Sequence, residues 1–191
     1  MSTHTFEPKV NPASEFLEIS NDFTDPKEIL REAVSNTFDA KAKVIKISAT
    51  INKSTGIDEL VLQFEDDGEG MTIENLENFF GLGFSKRREK NEAGEKISGA
   101  IGEKGHGTKI YFNSRRIEVT TVHKGSRLDA IMDSPRQTLR RGEIPKVTVV
   151  ESATDKANGT SITVFGYNAN SQVGFAHAGI KDYILWFTAI P

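Results

Sequence analysis

Glu32-Ala33-Val34-Ser35-Asn36-Thr37-Phe38-Asp39-Ala40 sets a carboxylate, an amide and a second carboxylate at positions i, i+4 and i+7. On a helix these three share one face. The Glu carboxylate can take a proton from an attacking water. The Asn oxygen is a neutral ligand suited to Mg²⁺, which keeps most of its waters and needs few protein ligands when it also touches phosphate. Taken alone, the same pattern also describes a solvated polar helix face.

Two glycine-rich stretches add to this. Asp66-x-Gly68-x-Gly70-Met71 follows an apolar alternating run. Its glycines let backbone approach a flat ligand, and its Asp can accept a hydrogen bond from an exocyclic amine such as that of adenine. A plain strand-ending turn is the competing reading; a calcium loop is excluded, because the acidic alternation and closing Glu are missing. Gly102-Glu103-Lys104-Gly105-His106-Gly107-Thr108-Lys109 offers glycine amides at the start of a helix, a natural cradle for phosphate. It is not a P-loop, which needs Lys directly after the second Gly and then Ser or Thr, whereas the order here is Thr108-Lys109. Nor is it a dinucleotide fingerprint, since residues 96–101 are not the strand of a βαβ unit.

The elements that must position these residues follow from periodicity. Asp25-Pro26-Lys27-Glu28 reads as a helix start, with Asp as cap and Pro in the first turn. Ile29, Leu30, Ala33, Val34 and Phe38 recur at helical spacing up to about Asp39. Lys43 to Ile51 and Leu60 to Phe64 alternate as two strands of a hairpin. Thr72 caps a helix running through Phe80. Residues 81–107 hold seven glycines with little apolar periodicity and read as a long loop. Thr108 to Asn113 reads as a short helix, followed by strands near 116–122, 128–132, 147–151 and 160–165. A final helix from Gly179 to Ile190 carries Ile180, Tyr183, Ile184 and Phe187 on one stripe. Trp186 and its aromatic neighbours are expected in the core or at an interface. Helices before and after a run of strands imply an α+β layer architecture.

The Glu-x₃-Asn-x₂-Asp-Ala helix, the Asp-x-Gly-x-Gly turn, the Gly-x₂-Gly-x-Gly stretch and the strand start Asn158-Gly159-Thr160 occur in that order. Together they resemble the GHKL ATPase domain, the family of gyrase, the large heat-shock chaperones, histidine kinases and mismatch-repair MutL. The resemblance implies an α+β fold, a two-layer α/β sandwich of the Bergerat type: a mainly antiparallel mixed sheet, helices on one face, and a long ATP lid at 81–107. It implies ATP as substrate and Mg²⁺ as cofactor. Glu32 becomes the general base and Asn36 the Mg²⁺ ligand, with Asp39 and Ala40 beside them. Asp66 becomes the adenine contact, with Thr160 sharing a water, and Gly68, Gly70 and Met71 line the base. Gly102, Gly105 and Gly107 offer amides to the phosphates, with Thr108 and Lys109 close by. Ser85 and Lys86 are similar to lid residues of MutL and MORC ATPases that approach phosphate. His106 sits between two of these glycines, where it either touches phosphate or is an ordinary loop histidine. His4, His123 and His177 show no ligand spacing.

Glu32 favours hydrolysis over phosphotransfer, because the histidine kinases of the family carry Asn there. The implied domains are an N-terminal segment 1–24, the ATP-binding domain 25–170 and a C-terminal helical segment 171–191 leading towards a downstream domain. The family also implies ATP-dependent association of two copies, an effector domain or protein partner, and slow hydrolysis when the usual lysine from a following domain is missing. A non-hydrolysing nucleotide sensor is the alternative reading. A nucleic-acid-associated ATPase is a third, using Lys86 to Lys90 with Arg136, Arg140 and Arg141; it predicts binding that weakens steeply with salt.

Composition constrains the rest. A net charge of −3 and pI near 5.9 leave no generally basic surface. The absence of cysteine removes disulfides, thiolate metal sites and cysteine nucleophiles. No apolar run approaches the roughly 20 residues of a membrane helix, and a cytoplasmic location is the expectation.

Overall fold

The computed structural model describes residues 2–53, 56–82 and 107–188. Its elements are α1 (Pro12–Asn21), α2 (Glu28–Asp39), β1 (Ile45–Asn52), β2 (Glu59–Asp66), α3 (Ile73–Phe80), a 3₁₀ helix (Gly107–Phe112), β3 (Arg116–His123), β4 (Ser126–Asp133), α4 (Pro135–Arg140), β5 (Val147–Ala153), β6 (Gly159–Phe165), a second 3₁₀ helix (Tyr167–Asn170) and α5 (His177–Phe187).

The six strands form one sheet in the order β1-β2-β6-β3-β4-β5, and every pairing is antiparallel. Alternation along the strands separates the two faces. Leu60, Leu62 and Phe64 of β2, Ile117 and Val119 of β3, Leu128, Ala130 and Met132 of β4, and Ile162 and Val164 of β6 point to the buried face. Each of these side chains larger than Ala130 contributes about 1.5–3 kcal/mol on leaving water. The opposite face is polar and laced with pairs such as Arg116 to Glu118 and Asp133, and Arg127 to Asp129. The apolar face must therefore be covered from one side, giving the expected two-layer α+β sandwich.

Ile29, Leu30, Ala33 and Val34 of α2 are buried as their spacing predicts, but Phe38 is 43% exposed. The helix begins two residues later than the Asp25-Pro26 signal suggests, with Lys27 at the cap position and Glu28 as its first residue. Asp25 Oδ1 accepts from the Lys27 amide at 2.9 Å and Glu28 Oε1 accepts from the Asp25 amide at 3.4 Å, so the capping residues close a tight turn ahead of the helix instead. Thr72 caps α3 as expected, its hydroxyl oxygen accepting from the Asn75 amide at 3.2 Å.

Two helices were not evident from periodicity. In α1, Asn11 Oδ1 accepts from the Ala13 and Ser14 amides and Pro12 occupies the first turn. α4 opens with Pro135 and is only six residues long. The C-terminal helix spans His177–Phe187; Tyr183 is buried as expected and stacks on Phe187, whereas Trp186 is 80% exposed and Phe187 63%, so of the two expected settings the core is ruled out for these two. No described helix is long and apolar enough to cross a membrane.

Candidate functional site

Of the predicted site residues, Asp66, Gly68, Gly70, Met71, Ala40 and Thr160 come together where the C-terminal end of α2 meets the ends of β2, β3 and β6. In register, Asp66 lies opposite Thr160, and Thr160 opposite Thr121. Because Asp66 pairs across β1 with Ile45, this row points to the same face as the apolar core, beneath the helices. The Thr121 and Thr160 hydroxyls lie 3.1 Å apart. Desolvation raises the Asp66 pKa, while the backbone amides of Gly68 and Thr160 pull it back; the Gly68 amide donates to Asp66 Oδ1 at 2.9 Å. A carboxylate in this position holds an acceptor at the edge of an apolar layer, the chemistry needed to read an amine.

The turn after β2 is held against α2 by backbone contacts that require its glycines. The Glu69 amide donates to the Ala40 carbonyl at 2.9 Å. A Cβ on Gly68 would lie 2.7 Å from both the Cβ and the carbonyl oxygen of Ala40. Gly70 has φ +71, and a Cβ there would lie 1.9 Å from the Val122 oxygen, so only glycine fits. The Met71 amide donates to Thr121 Oγ1 at 2.8 Å, and His123 Nδ1 lies 2.7 Å from the Glu69 carbonyl. Thr121 and His123 thus clamp the turn, and neither carries a local signal beyond its position on a strand.

The helix face behaves as its spacing requires. Glu32, Asn36 and Ala40 are partly buried, whereas Asp39 is exposed. Glu32 lies 3.5 Å from Arg31 Nη2 on the helix surface. On its other side the backbone of Gly107 runs so close that a Cβ there would fall 1.7 Å from Glu32 Oε2. The end of the glycine stretch and the Glu carboxylate therefore meet, although 75 positions separate them in the chain. Ser85, Lys86, Gly102, Gly105 and His106 lie outside the described residues.

A model of the family described as histidine kinase-, DNA gyrase B-, and HSP90-like ATPase matches residues 24–161, more than half of the chain. The chain belongs to this ATPase family. Two solved structures of the ATPase region of Saccharomyces cerevisiae topoisomerase II, one bound to ICRF-187 (dexrazoxane), are similar in fold. Each has a TM-score of 0.53 and 16% identity over 75% of this chain. The chain spans 38% of the length of those structures. No curated protein sequence matches it.

Within this ATPase domain, two residues after Gly107 are turned inward. Thr108 Oγ1 donates to the Phe79 carbonyl at 2.8 Å, and Lys109 Nζ donates to the same carbonyl at 2.7 Å and to Thr108 Oγ1 at 2.6 Å. Lys109 is fully buried at the C-terminal end of α3, and desolvation lowers its pKa to about 7. Their side chains thus secure the 3₁₀ helix to α3, while their backbone continues from Gly107.

Tyr111 is the residue that sequence reasoning missed. It is fully buried, and burial, followed by the charge of Glu32, drives its phenol pKa far up. Its hydroxyl and Asn36 Nδ2 are both buried and neither meets hydrogen-bond geometry, although the two groups are close enough to influence each other. Two polar groups left unpaired side by side beneath the helix face mark a place where the fold withholds satisfaction. The spacing of Tyr111 carries only a core signal, so nothing in the sequence separated it from its apolar neighbours.

Proposed function

We propose that the chain binds ATP together with Mg²⁺ and hydrolyses it slowly, with Glu32 as general base. Support comes chiefly from one observation: a single helix, α2, joins the Glu32 carboxylate, set against the Gly107 backbone, to the Ala40 carbonyl that anchors the Asp66–Gly70 turn. In this reading one rigid element would span both ends of a nucleotide, the amine of its base and its phosphates.

In this reading Asp66 accepts a hydrogen bond from the adenine amine, and Gly68, Gly70 and Met71 bring backbone close to the base. Thr160 supports the Asp66 carboxylate. The backbone from Gly107 onwards approaches the phosphates, and Glu32 takes a proton from the attacking water. Mg²⁺ would neutralise phosphate charge and orient the terminal phosphoryl group. Asn36 fits such an ion by type: it is partly buried on α2, on the same helix face as Glu32, and its side-chain oxygen is a neutral ligand. One neutral oxygen suits a cation that arrives already bound to phosphate. Asp39 and Ala40 flank this arrangement. We read 81–107 as the lid, residues 171–191 as leading towards a downstream domain, and lid closure as the event linked to association with a second copy or a partner.

The deciding measurement is calorimetric titration with a non-hydrolysable ATP analogue, with and without Mg²⁺, on the wild type and Asp66→Asn. The variant keeps an oxygen for the Gly68 amide but loses the charge, and affinity is expected to fall about 10- to 100-fold. Unchanged affinity would remove Asp66 from the site, and no binding to the wild type would remove the reading itself.

Tyr111→Phe tests the inner side of Asn36. Deleting the buried hydroxyl, whose one polar neighbour is the poorly placed Asn36 amide, is expected to change stability by no more than about 1 kcal/mol, or roughly 2–4 °C in melting temperature. If the phenol orients the Asn36 amide, the same change weakens the Mg²⁺-dependent part of ATP binding. An unaltered Mg²⁺ dependence would confine Tyr111 to the core.

A further inference from the structure

Thr121 occupies a core position on β3. Alternation aims it at the buried face with Ile117 and Val119, and it is fully buried. Valine has the same shape, so a hydroxyl in that row costs free energy unless it is hydrogen-bonded. It is bonded three times: Oγ1 accepts from the Met71 amide at 2.8 Å, donates to the Gly159 carbonyl at 3.2 Å and lies 3.1 Å from Thr160 Oγ1.

Counting protons decides the third contact. A hydroxyl has one hydrogen and two lone pairs. The Met71 amide can only donate and the Gly159 carbonyl can only accept, so the Thr121 proton goes to Gly159 and one lone pair goes to Met71. What remains is a lone pair, and all three bonds are made at once only when the Thr160 hydroxyl supplies the proton. With that proton engaged, and no other partner for the hydroxyl among the described residues, Thr160 Oγ1 offers only lone pairs to anything else that approaches. Asp66 lies directly opposite Thr160 in the β2–β6 ladder, and the Gly68 and Thr160 amides take up part of its acceptor capacity. An ionised carboxylate has no hydrogen to donate. The row formed by Asp66 and Thr160 therefore presents acceptors alone.

We propose that Thr121 is a positioning residue for base selection: by holding the Thr160 proton it keeps this row acceptor-only, so the site takes a purine with an amine at position 6 and refuses one with a carbonyl there. A 6-amino group brings hydrogens to the two acceptors, directly or through a water. A 6-oxo group sets a lone pair against a carboxylate and a hydroxyl with no proton to give, and acceptors buried against one another cost affinity. The inference rests on the reading of this site as the adenine pocket. Thr121 itself acts through Thr160.

The test is calorimetric titration of the full chain with ADP and IDP in the presence of Mg²⁺, two nucleotides that differ chiefly in the group at position 6. Thr121→Val frees the Thr160 proton to turn towards the base, and the preference for ADP over IDP is expected to fall about tenfold, the worth of one buried hydrogen bond. Loss of the Met71 contact alone would weaken both nucleotides alike and leave the ratio unmoved. Thr121→Ser keeps the hydroxyl and is expected to keep the wild-type ratio. An unchanged ratio in Thr121→Val, or an equal fall in Thr121→Ser, overturns the inference while ADP binding keeps the nucleotide reading; no binding of ADP to the wild type overturns both. If Thr121→Val does not fold, Thr160→Val decides by sign. Removing an acceptor lowers the preference for ADP, whereas removing a hydroxyl that donates into the site raises it, so a rise or no change overturns the inference.

Discussion

Glu32→Gln is expected to lower ATP turnover by about 10²- to 10⁴-fold while leaving ATP affinity essentially unchanged, the range a general base contributes. Gln matches Glu in size, so the close packing of the Gly107 backbone against this side chain is preserved. The 3.5 Å pair with Arg31 is lost, but Arg31 is about half exposed and such pairs contribute little. What disappears is the carboxylate that can hold a proton. Phosphate release under single-turnover conditions, beside calorimetric binding of a non-hydrolysable analogue, separates chemistry from affinity. Equal turnover in the two proteins would make ATP a structural ligand and leave the sensor reading in place.

The part of this arrangement legible in the sequence is the part fixed by local rules. Helical spacing put Glu32 and Asn36 on one face, Thr72 announced α3 as its cap, and alternation located six strands and hence the layer architecture. Gly68 and Gly70 were singled out as places of close approach, and both are packed too tightly for any side chain. What escaped depends on contacts distant in sequence. Tyr111 looks like a core aromatic until Asn36 and Glu32 are seen above it. Thr121 looks like an ordinary strand residue until sheet register sets it beside Thr160 and under Met71. α1 was missed although Asn11-Pro12 is a fair start signal, because its buried positions, Ala13 and Ser20, are too small to give a strong apolar period. The inward turn of Lys109 runs against the usual exposure of lysine and has no local signature.

That buried lysine carries the second large expectation, a dependence of stability on pH. With the Lys109 pKa at about 7 in the fold and 10.5 as its ordinary value, the unfolded chain holds one more proton than the folded chain between those limits. Stability must therefore rise with pH across that window, by at most about 1.4 kcal/mol per pH unit and about 5 kcal/mol in all. The full amount is a ceiling, because Nζ meets the Phe79 carbonyl and Thr108 hydroxyl at the C-terminal end of α3, where a positive charge is favoured. Above about pH 10 the sign reverses: burial raises the phenol pKa values of Tyr111, Tyr167 and Tyr183, so the unfolded state loses those protons first and stability falls. Denaturant unfolding followed from pH 7 to 11 should thus show a maximum near pH 9–10. Lys109→Met preserves the length of the side chain without its charge, and Thr108 keeps the Phe79 carbonyl paired. The variant is expected to be more stable than the wild type at pH 7, by about 1–4 kcal/mol, and to lose the rise between pH 7 and 10. A variant less stable at pH 7 that keeps the rise would mean that the α3 terminus satisfies the ammonium in full and that Lys109 stays charged inside the fold.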